Sequence, residues 1–401
     1  MHIAFISTEN PYGVNNGGIG SYCGYIVKMI AQTDNRISFL SIGNWDDEND
    51  CKEMVLSENA RVYLIKYAKA ANSFSEEWMD LFWQKIEEIH RRDSIDVIEC
   101  QDWLGIGCKI AQNMNIPFVT RLHTPLFWVE RISDNQRIYR LSEKIKSYEK
   151  AQMEKSTALS SPCADMARIV YKETGLSSTI IPNPIDVGEF SIKCDLHRPE
   201  LVGDRKYFLY LGRLEYRKGV LILAEAFNEI RKKHPEYILV MCGKDTVYKK
   251  QSIKRMIKNI CPDSEDCLFF VDHIDGKEKE AYIHNAELII QPSLWENFSY
   301  VTLETMASAK AVLATKSGGF VDLIKNGESG FLAEPDNVQS LLDMVEIALK
   351  SNRECVGRKA RECVERYYDV GVMKDIFIDF YKDIINRFWS EGMCGVSSQD
   401  R

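Results

Sequence analysis

A chain of 401 residues with 45% apolar and 27% charged side chains reads as a soluble globular protein too long for one ordinary core, so two domains of under about 200 residues each are expected. Its formal net charge of −8 would repel a phosphate backbone and excludes general nucleic-acid binding. No apolar run approaches the ~18 residues of a spanning helix, and the 12 cysteines contain no C-x-x-C pair, which excludes a zinc ribbon or redox motif and leaves them reduced and mostly buried.

Met1-His2-Ile3-Ala4-Phe5-Ile6 enters a strand directly, without a basic n-region or cleavage site. No signal peptide is therefore expected, and the cytosol is the expected compartment. Short apolar runs then alternate with helical patterns along the chain. In the first half they are Ile3–Ser7, Ile37–Ile42, Val62–Lys66, Asp96–Cys100, Phe118–Arg121, Thr157–Ser160 and Thr179–Pro182. Trp78, Phe82, Trp83, Ile86 and Ile89 lie on one face of the helix before Asp96. In the second half the runs are Tyr207–Leu211, Tyr237–Cys242, Cys267–Val271, Glu287–Gln291, Ala311–Thr315 and Gly330–Ala333. Consecutive apolar positions mark strands buried on both faces of a parallel sheet, and the alternation is that of a doubly wound α/β fold, occurring twice.

The break falls at Ile181-Pro182-Asn183-Pro184-Ile185-Asp186, where two prolines force an extended path. The expected organisation is an N-terminal domain over 1–186, a second over 187–371, a last helix over 372–391 and a mobile tail over 392–401. Two such domains imply a cleft faced by both sets of C-terminal strand ends, where ligands of these sheets bind.

Chemistry-bearing residues follow the strands. After the first strand comes Tyr12-Gly13-Val14-Asn15-Asn16-Gly17-Gly18-Ile19-Gly20, whose glycines let backbone N–H groups approach phosphate or sugar oxygens. It lacks both the G-x-G-x-x-G spacing and a P-loop Lys-Ser/Thr. Asp102 follows one strand and His123-Thr124 the next; Asp102 either positions an acceptor hydroxyl or caps the following helix. In the second half Gly212-Arg213-Leu214-Glu215-Tyr216-Arg217-Lys218-Gly219 sets Arg213 and Lys218 five residues apart in a loop opening a helix, a spacing able to neutralise a diphosphate. Pro292-Ser293-Leu294-Trp295-Glu296-Asn297-Phe298-Ser299 leads into a helix carrying Glu304. Two carboxylates beside a helix N-terminus suit a polyhydroxyl or anionic ligand. Ser317-Gly318-Gly319-Phe320-Val321-Asp322 adds a small-residue loop at the same edge.

From Gly17 to about Ala333 these residues resemble the family-4 retaining glycosyltransferases of GT-B fold, through Glu296-x7-Glu304, Arg213-x4-Lys218-Gly219, Gly17-Gly18-Ile19-Gly20 and Asn183-Pro184-Ile185-Asp186. The resemblance implies two Rossmann-like domains, with the last helix crossing back to the first and closure about Asn183–Asp186. By it, Arg213 and Lys218 grip the donor diphosphate, Glu304 holds the ribose, and Glu296 with the N–H groups of Asn297, Phe298 and Ser299 holds the donor sugar. His123 contacts that sugar near the reacting carbon, Gly17, Gly18 and Gly212 approach the donor, and Asp102 and Thr124 are acceptor-side candidates. The implied reaction is metal-independent transfer of a hexose or N-acetylhexosamine from a nucleoside diphosphate sugar to a hydroxyl acceptor (a glycan, a lipid-linked sugar or a small molecule). UDP-sugar is the first expectation and GDP-mannose the second, with no further cofactor. The chain departs from the family at Asn297 and Ser299, where glycines are frequent, and at Asp322, where the GG-x-x-E element has Glu. A GT-B-type nucleotide-sugar epimerase and a non-catalytic nucleotide-sugar-binding protein are the alternatives. Asp46-Asp47 are adjacent and read as solvated rather than as a metal site. Arg137, Arg140, Lys144, Lys146, Lys150 and Lys155, set against Asp134, Glu143, Glu149 and Glu154, read as a solvated helix; peripheral contact with the inner membrane face stays open.

Overall fold

The computed structural model describes residues 1–12, 17–43, 51–66, 76–134, 141–191 and 196–396, the last six without side chains. Part of the first glycine loop (13–16), Asp46-Asp47, Arg137, Arg140 and the end of the tail (397–401) lie outside the described residues.

The chain forms two compact units, Met1–Pro184 with Val370–Arg401, and Ile185–Asp369. The first contains β1 (His2–Ile6), β2 (Arg36–Gly43), β3 (Cys51–Ser57), β4 (Ala60–Lys66), β5 (Val97–Gln101), β6 (Phe118–Arg121), β7 (Ala158–Ser161) and β8 (Thr179–Ile180). They make one sheet in the order β3-β4-β2-β1-β5-β6-β7-β8, parallel except where β3 runs antiparallel to β4. The second unit contains β9 (Lys206–Leu211), β10 (Tyr237–Cys242), the small hairpin of β11 (Val247–Tyr248) and β12 (Gln251–Ser252), then β13 (Leu268–Val271), β14 (Leu288–Gln291), β15 (Val312–Thr315) and β16 (Phe331–Ala333). Its main sheet is all parallel, ordered β13-β10-β9-β14-β15-β16.

Each apolar run in the sequence forms a strand, and the packing says why. Phe208 and Tyr210 of β9 enter one core cluster while Tyr207, Leu209 and Leu211 enter another. Alternate side chains of β9 thus fill cores on both faces, which demands an apolar residue at every position. β3 was not legible because it is an edge: Met54, Val55 and Leu56 are 37%, 65% and 38% exposed, so no burial pattern is imposed on it.

Reversal of strand order creates a switch point in each sheet, between β1 and β5 in the first and between β9 and β14 in the second. Ligands of doubly wound sheets bind at such points, outside the strand C-termini.

The unit boundaries fall two residues earlier than the sequence suggests at both crossings. Ile185 N–H donates to Tyr368 O at 2.9 Å and Val187 N–H to Asp369 Oδ2 at 3.1 Å, which fastens Ile185 within the second unit. On the other side Arg121 Nη2 donates to Ile181 O and Asn183 Oδ1, each at 2.7 Å. The last helix, Val370–Val396, is longer than expected and runs past Gly392. Met373, Phe377, Tyr381 and Ile384 are its buried stripe, and Tyr381 donates to buried Glu99 at 2.8 Å. Among the described residues no helix is long and apolar enough to cross a membrane.

Candidate active site

The second unit's switch point is built from three loops that touch through backbone. After β9, Gly212 takes φ +138° and Gly219 φ +67°, with a short 3-10 turn, Tyr216–Lys218, between them. A Cβ on Gly219 would lie 1.9 Å from the carbonyl oxygen of Pro292 in the loop after β14. Leu294 N–H of that loop donates to Arg217 O at 2.8 Å. From the other side, a Cβ on Gly318 would lie 1.9 Å from Glu296 O, and one on Gly319 2.1 Å from Asn297 O; Gly319 N–H donates to Glu296 O at 2.9 Å. The stretch bearing Glu296 is therefore gripped between two glycine contacts, which gives Ser317-Gly318-Gly319 a function the sequence left vague.

Ser299 ends this stretch as the N-cap of the helix Tyr300–Ala307, its hydroxyl accepting Thr302 N–H at 3.2 Å. That engagement answers the departure at Ser299: the side chain serves the helix. Glu296 and Glu304 both point into partnered positions. Lys218 Nζ forms a short ion pair with Glu296 Oε2, and Lys279, on the helix Gly276–Asn285, donates to Glu304 Oε1 at 2.8 Å. The Glu296 and Glu304 side chains are only 13% and 9% exposed.

The two expected diphosphate cations separate. Lys218 is inside the cluster, whereas the Arg213 side chain is 60% exposed and reaches Glu215 at 3.3 Å. Arg217, not singled out from the sequence, is the better enclosed guanidinium, 15% exposed and donating to Glu215 Oε1 at 3.0 Å. Burial pushes the Glu296 carboxyl up, but Lys218 and then Arg217 outweigh it and leave it below its ordinary value. Burial also lowers the Lys218 ammonium, and Glu296 restores only part of that. The Arg217 guanidinium is destabilised by burial yet held above its usual value by Glu215 and Glu296. Three cations against two carboxylates leave the cluster of Arg213, Glu215, Arg217, Lys218 and Glu296 net positive, the sign a diphosphate requires.

The first unit's switch point is built differently. Gly17 precedes the helix Gly18–Ala31, but its N–H and that of Gly20 already donate to Glu9 Oε2, at 2.9 and 2.6 Å. The donor contact expected of Gly17 thus meets a side-chain carboxylate that the sequence did not flag. A Cβ on Gly18 would meet nothing within 4 Å, so no internal contact requires glycine there. Asp102 is fully buried. It accepts the N–H groups of His123 at 2.9 Å and Thr124 at 3.2 Å, and it makes no side-chain cap to the turn Trp103–Gly105. The cap reading of Asp102 is not what the structure shows; its carboxyl instead braces the next loop. Burial raises its carboxyl to about 7. The His123 ring sits edge-on to Tyr22 with centroids 5.0 Å apart, and burial followed by the charge of Arg121 lowers its pKa to about 3. His123 is neutral at physiological pH, fit for a hydrogen bond and not for a charge. The Thr124 hydroxyl is turned to the His123 carbonyl. The charged helix Ser142–Lys155 is salt-bridged and solvated at Lys144, Lys150 and Glu143, but Glu149, counted there as a surface charge, is 1% exposed.

Arg217 and Glu215 lay inside a motif already noticed and were passed over for their neighbours. Lys279 had no local signal: it lies 25 residues from Glu304 and meets it only in the fold.

Comparison with known proteins agrees with this architecture. The model for Glycosyltransferase Family 4 matches residues 16–189 and that for Glycosyl transferases group 1 matches residues 195–367. An uncharacterized glycosyltransferase of Methanocaldococcus jannaschii is 22% identical over 402 residues, covering 95% of this chain and 98% of its own. Among solved structures, sucrose-phosphate synthase from Thermosynechococcus elongatus superimposes with a TM-score of 0.79 at 19% identity, covering 96% and 99% of the two chains. Anabaena HepE, solved in complex with UDP and glucose, gives 0.71 at 17% identity, over 95% and 99%. With both units matched in order along the chain, the protein belongs to glycosyltransferase family 4 and has the GT-B fold.

Proposed function

We propose that this glycosyltransferase moves a hexose or N-acetylhexosamine from a nucleoside diphosphate sugar to a hydroxyl acceptor with retention of anomeric configuration. The observation that carries the reading is the cation cluster of Arg217 and Lys218 against Glu296, beside the Ser299-capped helix that bears Glu304. Lys218 and Arg217, joined by Arg213 when a ligand draws it in, stabilise the charge that grows on the departing diphosphate. Glu304 accepts from the ribose hydroxyls and Glu296 from the donor sugar, with the N–H groups of Asn297, Phe298 and Ser299 beside it. His123, neutral, hydrogen-bonds the sugar near the reacting carbon. The acceptor hydroxyl attacks from the face the diphosphate leaves, and a leaving-group oxygen takes its proton.

A UDP-sugar is the first donor to test, because Anabaena HepE of the same fold was solved with UDP and glucose; GDP-mannose is the second. No metal is assigned a part, since cationic side chains and a helix N-terminus can supply the positive charge. A thermal-shift screen of UDP-glucose, UDP-N-acetylglucosamine and GDP-mannose identifies the donor, because a ligand of the folded state raises its melting temperature. Labelled donor then tests the chemistry. Nucleoside diphosphate release that rises on acceptor addition supports transfer; an altered sugar released without an acceptor indicates epimerisation. Activity should survive EDTA, and its complete loss with recovery on adding Mn²⁺ would remove the metal-independent reading. The acceptor, cytosolic or presented at a membrane surface, is to be found by the same release assay.

A further inference from the structure

On the helix Ser142–Lys155, Glu149 and Gln152 are 1% and 0% exposed. Buried polar groups persist when their hydrogen bonds are made, and here they are made to other elements. Glu149 Oε1 accepts the N–H of Leu104 at 3.0 Å, and Oε2 accepts that of Leu126 at 2.8 Å. Gln152 Oε1 accepts Gly107 N–H at 2.8 Å, while its amide donates to Gln101 O at 2.8 Å and Thr120 Oγ1 at 3.1 Å. One carboxylate therefore bridges the loop after β5 to the loop after β6. Close approach of the helix depends on Gly105, where φ is +60° and a Cβ would lie 2.6 Å from Glu149 N. Asp102 adds the N–H groups of His123 and Thr124. The 122–126 segment is thus held from beneath at three of its five residues, on the side away from solvent.

We propose that Glu149 is a positioning residue for the loop that presents His123, fixing the imidazole's place through the Leu126 backbone in concert with Asp102. The proposal rests on the reading of His123 as a donor-sugar contact. Glu149 itself has no surface on which to touch a substrate. Its function needs two acceptor oxygens at once: Glu149→Gln keeps the volume but sets an NH₂ against one of the two N–H groups. Small displacements of a positioned group can cost up to about a hundredfold in rate.

The test compares Glu149→Gln with Gln152→Ala in the full-length protein. Gln152 is as buried, and on the same helix, but bonds no residue of the 122–126 segment. Glu149→Gln should lower kcat about tenfold, leave the donor KM within about twofold, and speed amide exchange over 122–126. Gln152→Ala should lower the melting temperature comparably with a much smaller effect on kcat, and Glu149→Asp, which keeps both acceptors, should recover part of the lost kcat. An unchanged kcat in Glu149→Gln, or equal kcat losses in the two variants, overturns the proposal. If Glu149→Gln does not fold, Glu149→Asp against Gln152→Ala makes the same comparison. If the wild type transfers nothing from the three donors named above, the functional reading fails separately. Loop positioning is then read from exchange alone, and unchanged protection at Leu126 in Glu149→Gln overturns it.

Discussion

The two units place loops at the same kind of switch point and build them by opposite means. In the second unit the loops after β9, β14 and β15 lock to one another through glycine contacts, and Lys218, Arg217 and Glu296 on them, with Glu304 on the helix that follows, form an enclosed set of charges. In the first unit the loops after β5 and β6 are braced from below by buried carboxylates, Asp102 and Glu149, and the group they present, His123, is neutral. A charged leaving group needs charges that face it. On the proposed function, a hydrogen-bonding contact to a sugar needs only a fixed place, and buried acceptors supply that.

The contrast can be broken most directly at the charges. Lys218→Ala and Glu304→Ala should each lower kcat/KM for the donor by roughly 10²–10³-fold, the scale of removing one aligned electrostatic partner; near-wild-type turnover in either would end the donor-site reading. Next come the glycines. Gly219→Ala puts a Cβ 1.9 Å from Pro292 O at φ +67°, and the left-handed conformation alone costs an L-residue about 1–2 kcal/mol. Donor KM should rise and the melting temperature fall together, whereas a fall in stability without a change in KM would separate these loops from the donor. A smaller effect is expected of Lys279→Met, which leaves Glu304 without its 2.8 Å partner: a rise of several-fold in donor KM with kcat nearly unchanged, the signature of lost ground-state binding. A proportionate loss of kcat would show that Lys279 acts on the reaction itself.

The gentlest test concerns pH. His123 is lowered from 6.5 to about 3 by burial, with Arg121 adding to it. As pH falls below 6.5 the unfolded chain binds a proton there that the folded protein refuses until about 3. Stability is therefore lost progressively through that window. His123→Gln should flatten this limb of the pH–stability curve, measured by denaturant unfolding, and an unchanged limb would mean the ring is already solvated. Asp102 contributes the reverse slope: raised by burial from 3.8 to about 7, its carboxyl binds a proton in the folded state through a range where the unfolded chain has lost it.

Much of the candidate site in the second unit was legible because its signals are local. Glu296-x7-Glu304 and Arg213-x4-Lys218 fit within a strand, a turn and one helix, so spacing along the chain is close to spacing in the fold. That Arg217 is more enclosed than Arg213 needed coordinates, since enclosure by Glu215 and Glu296 cannot be read from adjacent letters. The contacts of Asp102 and Glu149 in the first unit and of Lys279 in the second were not read for one reason: each meets a partner more than twenty residues along the chain.

The sequence by itself determined the two α/β units, the strands buried on both faces and the positions of the chemistry-bearing loops, because burial on two faces and turn formation both write their requirements into neighbouring residues. Tertiary structure alone decided which charges pair, which buried carboxyls hold the loops above them, and where β3 and the full last helix lie. Those outcomes depend on enclosure and on contacts between distant segments, and neither leaves a periodic trace in the chain.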